Sequence, residues 1–422
     1  AGGGNVHGAR DGCGLTARYS FSTGGSFGDF NADGWPDLFV GNYFIGYEGK
    51  LNVISDATIV GANQTAYDYL LLNEQGEGFT DVSEAYGAHH RGFGFGGVFT
   101  DYDNDGDQDL IVNNDFGYKA IPSLVYENQF PRKAFRDISK ELELDLKINA
   151  MGSAVGDHNG DGLLDYYMTN IRFNRFMVSQ GAGEPFVNQT KPADMNFVSI
   201  SWGANWADFD HDGDLDLFVS NGDLNPNCVP MANFYFDNTG TTFREIGKEN
   251  GAGDYGIGRG SVVFDLENDG DLDVLVVNQE AVLPNYPVIS TTRLLRNDAA
   301  PGNWLKVALR GKGAERNGLG SRVTIFSNGR QMIREIDGGG SSHLSQNSKI
   351  AHFGLGEAAS VDSVLVTWAG GKEQLLTGQA VNQLLTIEEV EGPPRKAGSW
   401  WWLVGLLAGL VAVGAFLGMK RS

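Results

Sequence analysis

Cysteine is nearly absent: the 422-residue chain has only Cys13 and Cys228. Two positions so far apart form no zinc pattern, and spacing alone does not pair them in a disulfide. Basic residues are scarce as well, with 31 Lys and Arg against 53 Asp and Glu and a formal charge of -22. No basic patch of the kind that tracks phosphates is present, which excludes nucleic acid as a partner. An initiator Met and an N-terminal signal peptide are both missing.

What is present in quantity is glycine, 60 residues, which favours tight turns and short strands over long helices. Aromatic residues, at 11%, are too frequent for a disordered chain. The acidity is local. Five short segments hold 21 of the acidic residues and no Lys or Arg, leaving 32 acids against 31 bases elsewhere. Charge gathered in this way belongs to cation sites rather than to a uniformly solvated acidic surface.

The five segments share the pattern D-x-[DNE]-x-D-G-x-x-D and begin at Asp29, Asp101, Asp157, Asp208 and Asp265. Further markers keep phase with them. A glycine lies five residues before each first Asp (Gly24, Gly96, Gly152, Gly203, Gly260), and an Asn lies thirteen residues after it (Asn42, Asn114, Asn170, Asn221, Asn278). Phe79, Phe135, Phe186 and Phe243 each stand 22 residues before the next first Asp. Apolar, β-branched runs such as Leu110-Ile111-Val112 follow the turn, and hairpin patterns precede the next one. One period therefore holds four short strands, and periods of 72, 56, 51 and 57 residues fit β-propeller blades. A loop insertion accounts for the long first period, around Asn52 to Gln64. Residue 7 is His where a Phe would mark another hairpin, so the chain reads as a fragment that lacks N-terminal sequence. The expected fold class is all-β, with five visible blades, up to seven if N-terminal sequence is missing.

Calcium takes six to eight hard oxygen ligands, and carboxylates on a tight loop supply them. Loop positions 1, 3, 5 and 9 offer side chains, position 7 offers its carbonyl, and Gly at position 6 permits the bend. The expected ligands are Asp29, Asn31, Asp33, Trp35 and Asp37 in the first loop, and Asp101, Asp103, Asp105, Asp107 and Asp109 in the second. The third contributes Asp157, Asn159, Asp161, Leu163 and Asp165, the fourth Asp208, Asp210, Asp212, Asp214 and Asp216, and the fifth Asp265, Glu267, Asp269, Asp271 and Asp273. About five Ca2+ ions are expected, with weaker binding in the first and third loops, which hold fewer acids. An EF-hand needs a Glu at position 12; here that position is Val40, Val112, Met168, Val219 or Val276.

These residues resemble the FG-GAP and VCBS repeats of integrin-like propellers over roughly residues 20 to 300. The following stretch, with Asn317-Gly318-Leu319-Gly320-Ser321-Arg322-Val323, Gly338-Gly339-Gly340-Ser341 and His352-Phe353-Gly354-Leu355-Gly356, is similar to the ASPIC and UnbV domain that follows such propellers. Its alternating Val, Ile and Leu between glycine turns imply a small β-sandwich. The expected division is a propeller at 1–300, the sandwich at 301–390, a linker at 391–399, a transmembrane helix at 400–419 and a cytoplasmic tail at 420–422. Trp400 to Met419 carries no charge over twenty residues, enough to cross a bilayer. The expected location is therefore the outside of a bacterial cell envelope, with one C-terminal membrane pass.

Several motifs are discounted. Gly24-Gly25-Ser26-Phe27-Gly28 matches G-x-S-x-G but occupies a repeat strand, with no helix after it. Gly92 to Gly97 and Gly251 to Gly256 match G-x-G-x-x-G but lead into strands. His89-His90 reads as a solvated loop pair, and His158 and His211 as pointing outward. The leading functional reading is a calcium-binding, membrane-anchored adhesion or binding protein, not an enzyme, that recognises a protein or glycan ligand. The alternatives are an enzyme acting on glycan or lipid at the propeller centre, and a scaffold for a partner enzyme.

Overall fold

A computed structural model describes residues 20–45, 64–224, 227–280, 291–298, 301–339 and 342–390. Five sheets follow one another in the chain, each built around one acidic turn. Blade one contains Phe21–Gly28, Asp37–Phe44, Tyr69–Asn73 and Phe79–Asp81, and blade two Arg91–Thr100, Asp109–Asp115, Leu124–Asn128 and Phe135–Asp137. Blade three has Ser153–Gly156, Asp165–Met168, Arg175–Val178 and Val187–Asn188. Blade four has Val198–Ala207, Asp216–Asn221, Phe234–Asn238 and Phe243–Glu245. Blade five has Gly258–Phe264, Asp273–Asn278 and Arg293–Leu295. All pairings within the blades are antiparallel.

The apolar runs after each turn are continuous because both of their faces are buried between neighbouring blades. Leu110 and Val112 pack towards blade one with Phe30, Phe39 and Phe99, whereas Ile111 packs towards blade three with Tyr166 and Met168. The same alternation sends Leu217 and Val219 towards blade three and Phe218 towards blade five. The phased Asn is a latch. Asn42, Asn114, Asn170, Asn221 and Asn278 donate their side-chain amides to the carbonyls of Tyr67, Pro122, Phe173, Ala232 and Thr291, closing the loop between second and third strands.

Residues 303–390 form a two-sheet sandwich. One sheet orders Ala351–Gly356, Asn303–Arg310 and Gln383–Glu388, the last two parallel; the other orders Arg330–Glu335, Arg322–Ser327, Ser360–Trp368 and Lys372–Ala380. Leu305, Val323, Phe353, Val364 and Trp368 fill the space between them.

The strap between Glu335 and Ala351 leaves the sandwich and reaches the propeller axis. Phe27 of blade one pairs with Gly338, and the Val263 amide of blade five donates to Asn347 Oδ1 at 3.0 Å. At the tip, His343 stacks on Phe95 of blade two with centroids 4.5 Å apart and approaches Trp202 of blade four. Its Nδ1 lies 3.0 Å from the Met151 carbonyl that leads into blade three. This plug accounts for the phased glycines of blades one and five. A Cβ on Gly24 would lie 2.6 Å from the His343 Cβ, and one on Gly260 3.0 Å from the Leu344 carbonyl oxygen.

One expectation is corrected. Among the described residues no helix is long and apolar enough to cross a membrane; the longest is the single turn Gly247–Asn250. Trp400–Met419, on which the expected span rests, lies outside the described residues, as do Cys13 and most of the Asn52–Gln64 insertion. The fold class is accordingly stated as an all-β, propeller-like ring of sheets with a β-sandwich, and the single-pass anchoring and the localisation built on it are withdrawn.

Candidate metal centre and the two faces of the propeller

Each acidic turn joins the innermost strand of its blade to the second, which puts all five turns on one face. The turns are wound alike. Position 6 is left-handed glycine, from Gly34 at φ 88° to Gly270 at φ 105°, and position 4 is left-handed too, at Ala32, Asn104, Gly160, His211 and Asn268. The first Asp holds the turn together: Asp101 Oδ1 accepts the Asp105 amide at 3.0 Å, and its Oδ2 accepts the Gly106 amide at 3.2 Å.

The ninth-position Asp has a second task. Asp109 accepts the Tyr102 amide at 3.2 Å and the Asn128 amide at 2.8 Å, so its carboxylate staples the turn to the third strand. Asp37, Asp165, Asp216 and Asp273 do the same with Asn73, Ser179, Asn238 and Asn297. The side chain of that hairpin residue reaches the preceding blade: Asn128 donates to Phe30 O, Asn238 to His158 O and Asn297 to Phe209 O.

Among the described residues two turns draw three carboxylates close enough to share an ion, Asp101, Asp103 and Asp109 in the second and Asp208, Asp210 and Asp212 in the fourth. Burial, reinforced by neighbouring acids, pushes Asp101, Asp103 and Asp208 up to about 7, because their charges face one another away from water. Asp208 Oδ1 is buried without a hydrogen-bond donor. A hard divalent cation would supply what these oxygens lack, and the donor set, all oxygen, fits calcium. The other turns relieve their repulsion in other ways. Asn31 donates to Asp33 and Asn159 to Asp161, at 3.0 and 2.9 Å. His158 Nδ1 lies 2.5 Å from Asp165 Oδ2. In the fifth, Lys306 of the sandwich places its ammonium 2.5 Å from Asp265 Oδ2, both side chains being about 95% buried.

Lys306 belongs to a pattern that spacing did not reveal: the sandwich sits on the acidic face. Gly313 meets Gly34, Gly371 meets Gly106, Gln331 meets Gly162, Arg330 meets Gly213 and Trp304 meets Gly270. Arg322 donates to the Asp101 carbonyl and Glu335 accepts the Asp101 amide, each at 2.8 Å. Arg330 donates to the Asp212 carbonyl and also pairs with Asp214. No sequence signal marks these residues, because their partners lie between 34 and 279 positions away, in a different domain.

The histidines also depart from expectation. His90 is not a solvated loop residue, since its Nε2 lies 2.7 Å from buried Asp68 and its Nδ1 3.1 Å from Tyr126 Oη, while His89 stacks on Tyr67. His211 points inward, 1% exposed, to the Gly270 carbonyl of the next turn.

Among the described residues nothing covers the opposite face. Its centre is a cavity of about 1120 Å³ walled by every blade, through Tyr43, Phe116, Arg175, Trp202 and Arg259.

A ring of such turns under a glycine-marked sandwich defines a class, a repeat propeller joined to a C-terminal β-domain, and the chain carries FG-GAP-like repeats, matched at residues 29–112 and 157–219, and an ASPIC and UnbV domain, matched at 311–394. Among individual proteins it is similar to cartilage acidic protein 1 of Xenopus tropicalis, 28% identical over 280 residues that cover 64% of this chain and 40% of the relative. The Homo sapiens protein of the same name is 29% identical over 238 residues, 52% of this chain and 33% of its own. The chain thus spans less than half the length of these relatives. The V. cholerae biofilm matrix protein Bap1, a solved structure, covers 87% of this chain and 61% of its own at 11% identity, with a TM-score of 0.37; no functional argument follows from so low a score.

Proposed function

We propose that the chain is a calcium-binding recognition module of the extracellular adhesion type, which binds a protein or glycan through the open face of its propeller and does not catalyse a reaction. The observation that carries this reading is the pair of three-carboxylate turns, Asp101 with Asp103 and Asp109, and Asp208 with Asp210 and Asp212. An ion in either turn joins the innermost strand of its blade to the second at the edge where the sandwich docks, so calcium stiffens the ring and seats the sandwich together. Binding rather than catalysis is supported by the cavity wall, where the buried Asp115 is committed to Tyr43, Asn149 and the Phe116 amide instead of standing free as an acid or base. The test is equilibrium dialysis for bound calcium, paired with a protein and glycan array run with calcium and after chelation. Bound calcium together with calcium-dependent capture is the expected result; no bound calcium would remove the basis of the reading.

A further inference from the structure

The open cavity carries a charge opposite to that of the chain. Its wall presents four cations, Lys147, Arg172, Arg175 and Arg259, against two acids, Asp115 and Asp223, in a chain whose formal charge is -22. None of the four cations enters an ion pair among the described residues. Two of them are held by neutral acceptors alone. Arg175 Nη1 donates to the carbonyls of Phe173 and Asn174 at 2.8 and 3.0 Å. Arg259 donates to the carbonyls of Gly222, Gly258 and Asp223 and to Gln279 Oε1, with its guanidinium 4.2 Å from the Trp202 ring centroid. Such a frame fixes a guanidinium without cancelling its charge, and burial without a carboxylate partner lowers the affinity of Arg259 for its proton to about pH 10. Arg172 is exposed, with its backbone at φ 83°, a region that non-glycine residues rarely adopt, in a strand where it pairs with Ser199.

One further feature narrows the ligand. Phe21 and Tyr118 line the cavity with rings 44% and 50% exposed, flat apolar surfaces on which the C–H face of a sugar stacks. All five blades contribute residues to the cavity wall.

We propose that the cavity binds an anionic sugar of a glycan, its acid group meeting Arg172 and Lys147 and its ring resting on Phe21 or Tyr118. This rests on the reading of the open face as the recognition surface. The shared chemistry is a carboxylate or sulfate on a pyranose ring, and both sources are tested.

The experiment is isothermal titration of the full chain in calcium buffer with trigalacturonate, a sulfated heparin-derived disaccharide, a neutral glucose trisaccharide and hexaglutamate. One of the two anionic saccharides is expected to bind at one per chain, with the neutral sugar at least about tenfold weaker. Arg172→Ala and Lys147→Ala, both at exposed positions, are each expected to weaken that binding about tenfold or more while leaving the calcium stoichiometry unchanged. The proposal is overturned if neither anionic saccharide binds, if both variants bind as the parent does, or if hexaglutamate binds as tightly as the saccharide. Parallel calcium dialysis separates the two failures. Bound calcium without saccharide binding defeats this proposal alone, whereas absent calcium defeats the reading beneath it.

Discussion

Asp109 and Asp103 belong to the same turn but do different work. Asp109 accepts the amide of Tyr102 at the start of the turn and that of Asn128 in the third strand, whereas Asp103 accepts only the amide of Asp105 within the turn. Asp103→Ala is therefore expected to lose one bound calcium and little stability in chelator, and Asp210→Ala the same in the fourth turn. Asp109→Ala is expected to cost about 2 kcal/mol even in chelator, because buried amides lose their acceptor. Calcium dialysis and urea melts separate the two effects. Glu389 offers a test outside the turns. Burial raises its proton affinity, but the amides of Lys312, Gly313 and Ala314 and the Lys372 ammonium outweigh that and bring it down to about 2. The folded carboxyl is thus more acidic than the unfolded one at about 4.5, so its contribution is full above that pH and lost as pH falls towards 2. Glu389→Gln is expected to destabilise the sandwich by about 1 kcal/mol at pH 7 and to flatten its acid limb, read by pH-dependent melts. At this scale the sequence discloses the ligand types and the position-6 glycines, since a single turn of chain contains them. Lys306 against Asp265 and Gln108 Oε1 against the Asp29 amide are not disclosed, because only the folded ring brings them together.

The four-strand period was legible in the chain because each blade is a local meander whose markers recur at fixed offsets. The phased Asn was visible as a repeat but its work was not, since its acceptor sits in a loop of variable length. Asn221→Ala is expected to cost about 1 kcal/mol by releasing the Ala232 carbonyl, and to raise proteolysis between the second and third strands of blade four. The strap was illegible for a different reason. Its glycine-rich sequence looks like a turn, and the residues that need it, Gly24 and Phe95, lie more than 240 positions earlier. Burial holds the His343 imidazole neutral by lowering its pKa to about 4, against 6.5 when exposed. The strap's contribution is therefore full above pH 6.5 and lost as pH falls through 4. Protection factors of residues 342–347, corrected for the intrinsic pH dependence of exchange, should fall over that window in the parent, and His343→Gln should remove that loss.

Across the molecule, one face of the propeller is covered by its own C-terminal domain, and among the described residues nothing covers the other. Neither assignment is visible in either domain's sequence, because composition says which segments are acidic and not which surface faces which. On the proposed calcium reading, the docked sandwich would turn ion binding from a property of single loops into a property of the whole chain, since Arg322, Arg330 and Glu335 hold the same turns that would hold the ion. The most direct measurement is calorimetry of the chain with excess calcium and after chelation. Calcium is expected to raise the melting temperature by at least about 4 °C, with the gain absent in a chain carrying both Asp103→Ala and Asp210→Ala. Identical melting with and without the ion would contradict the account.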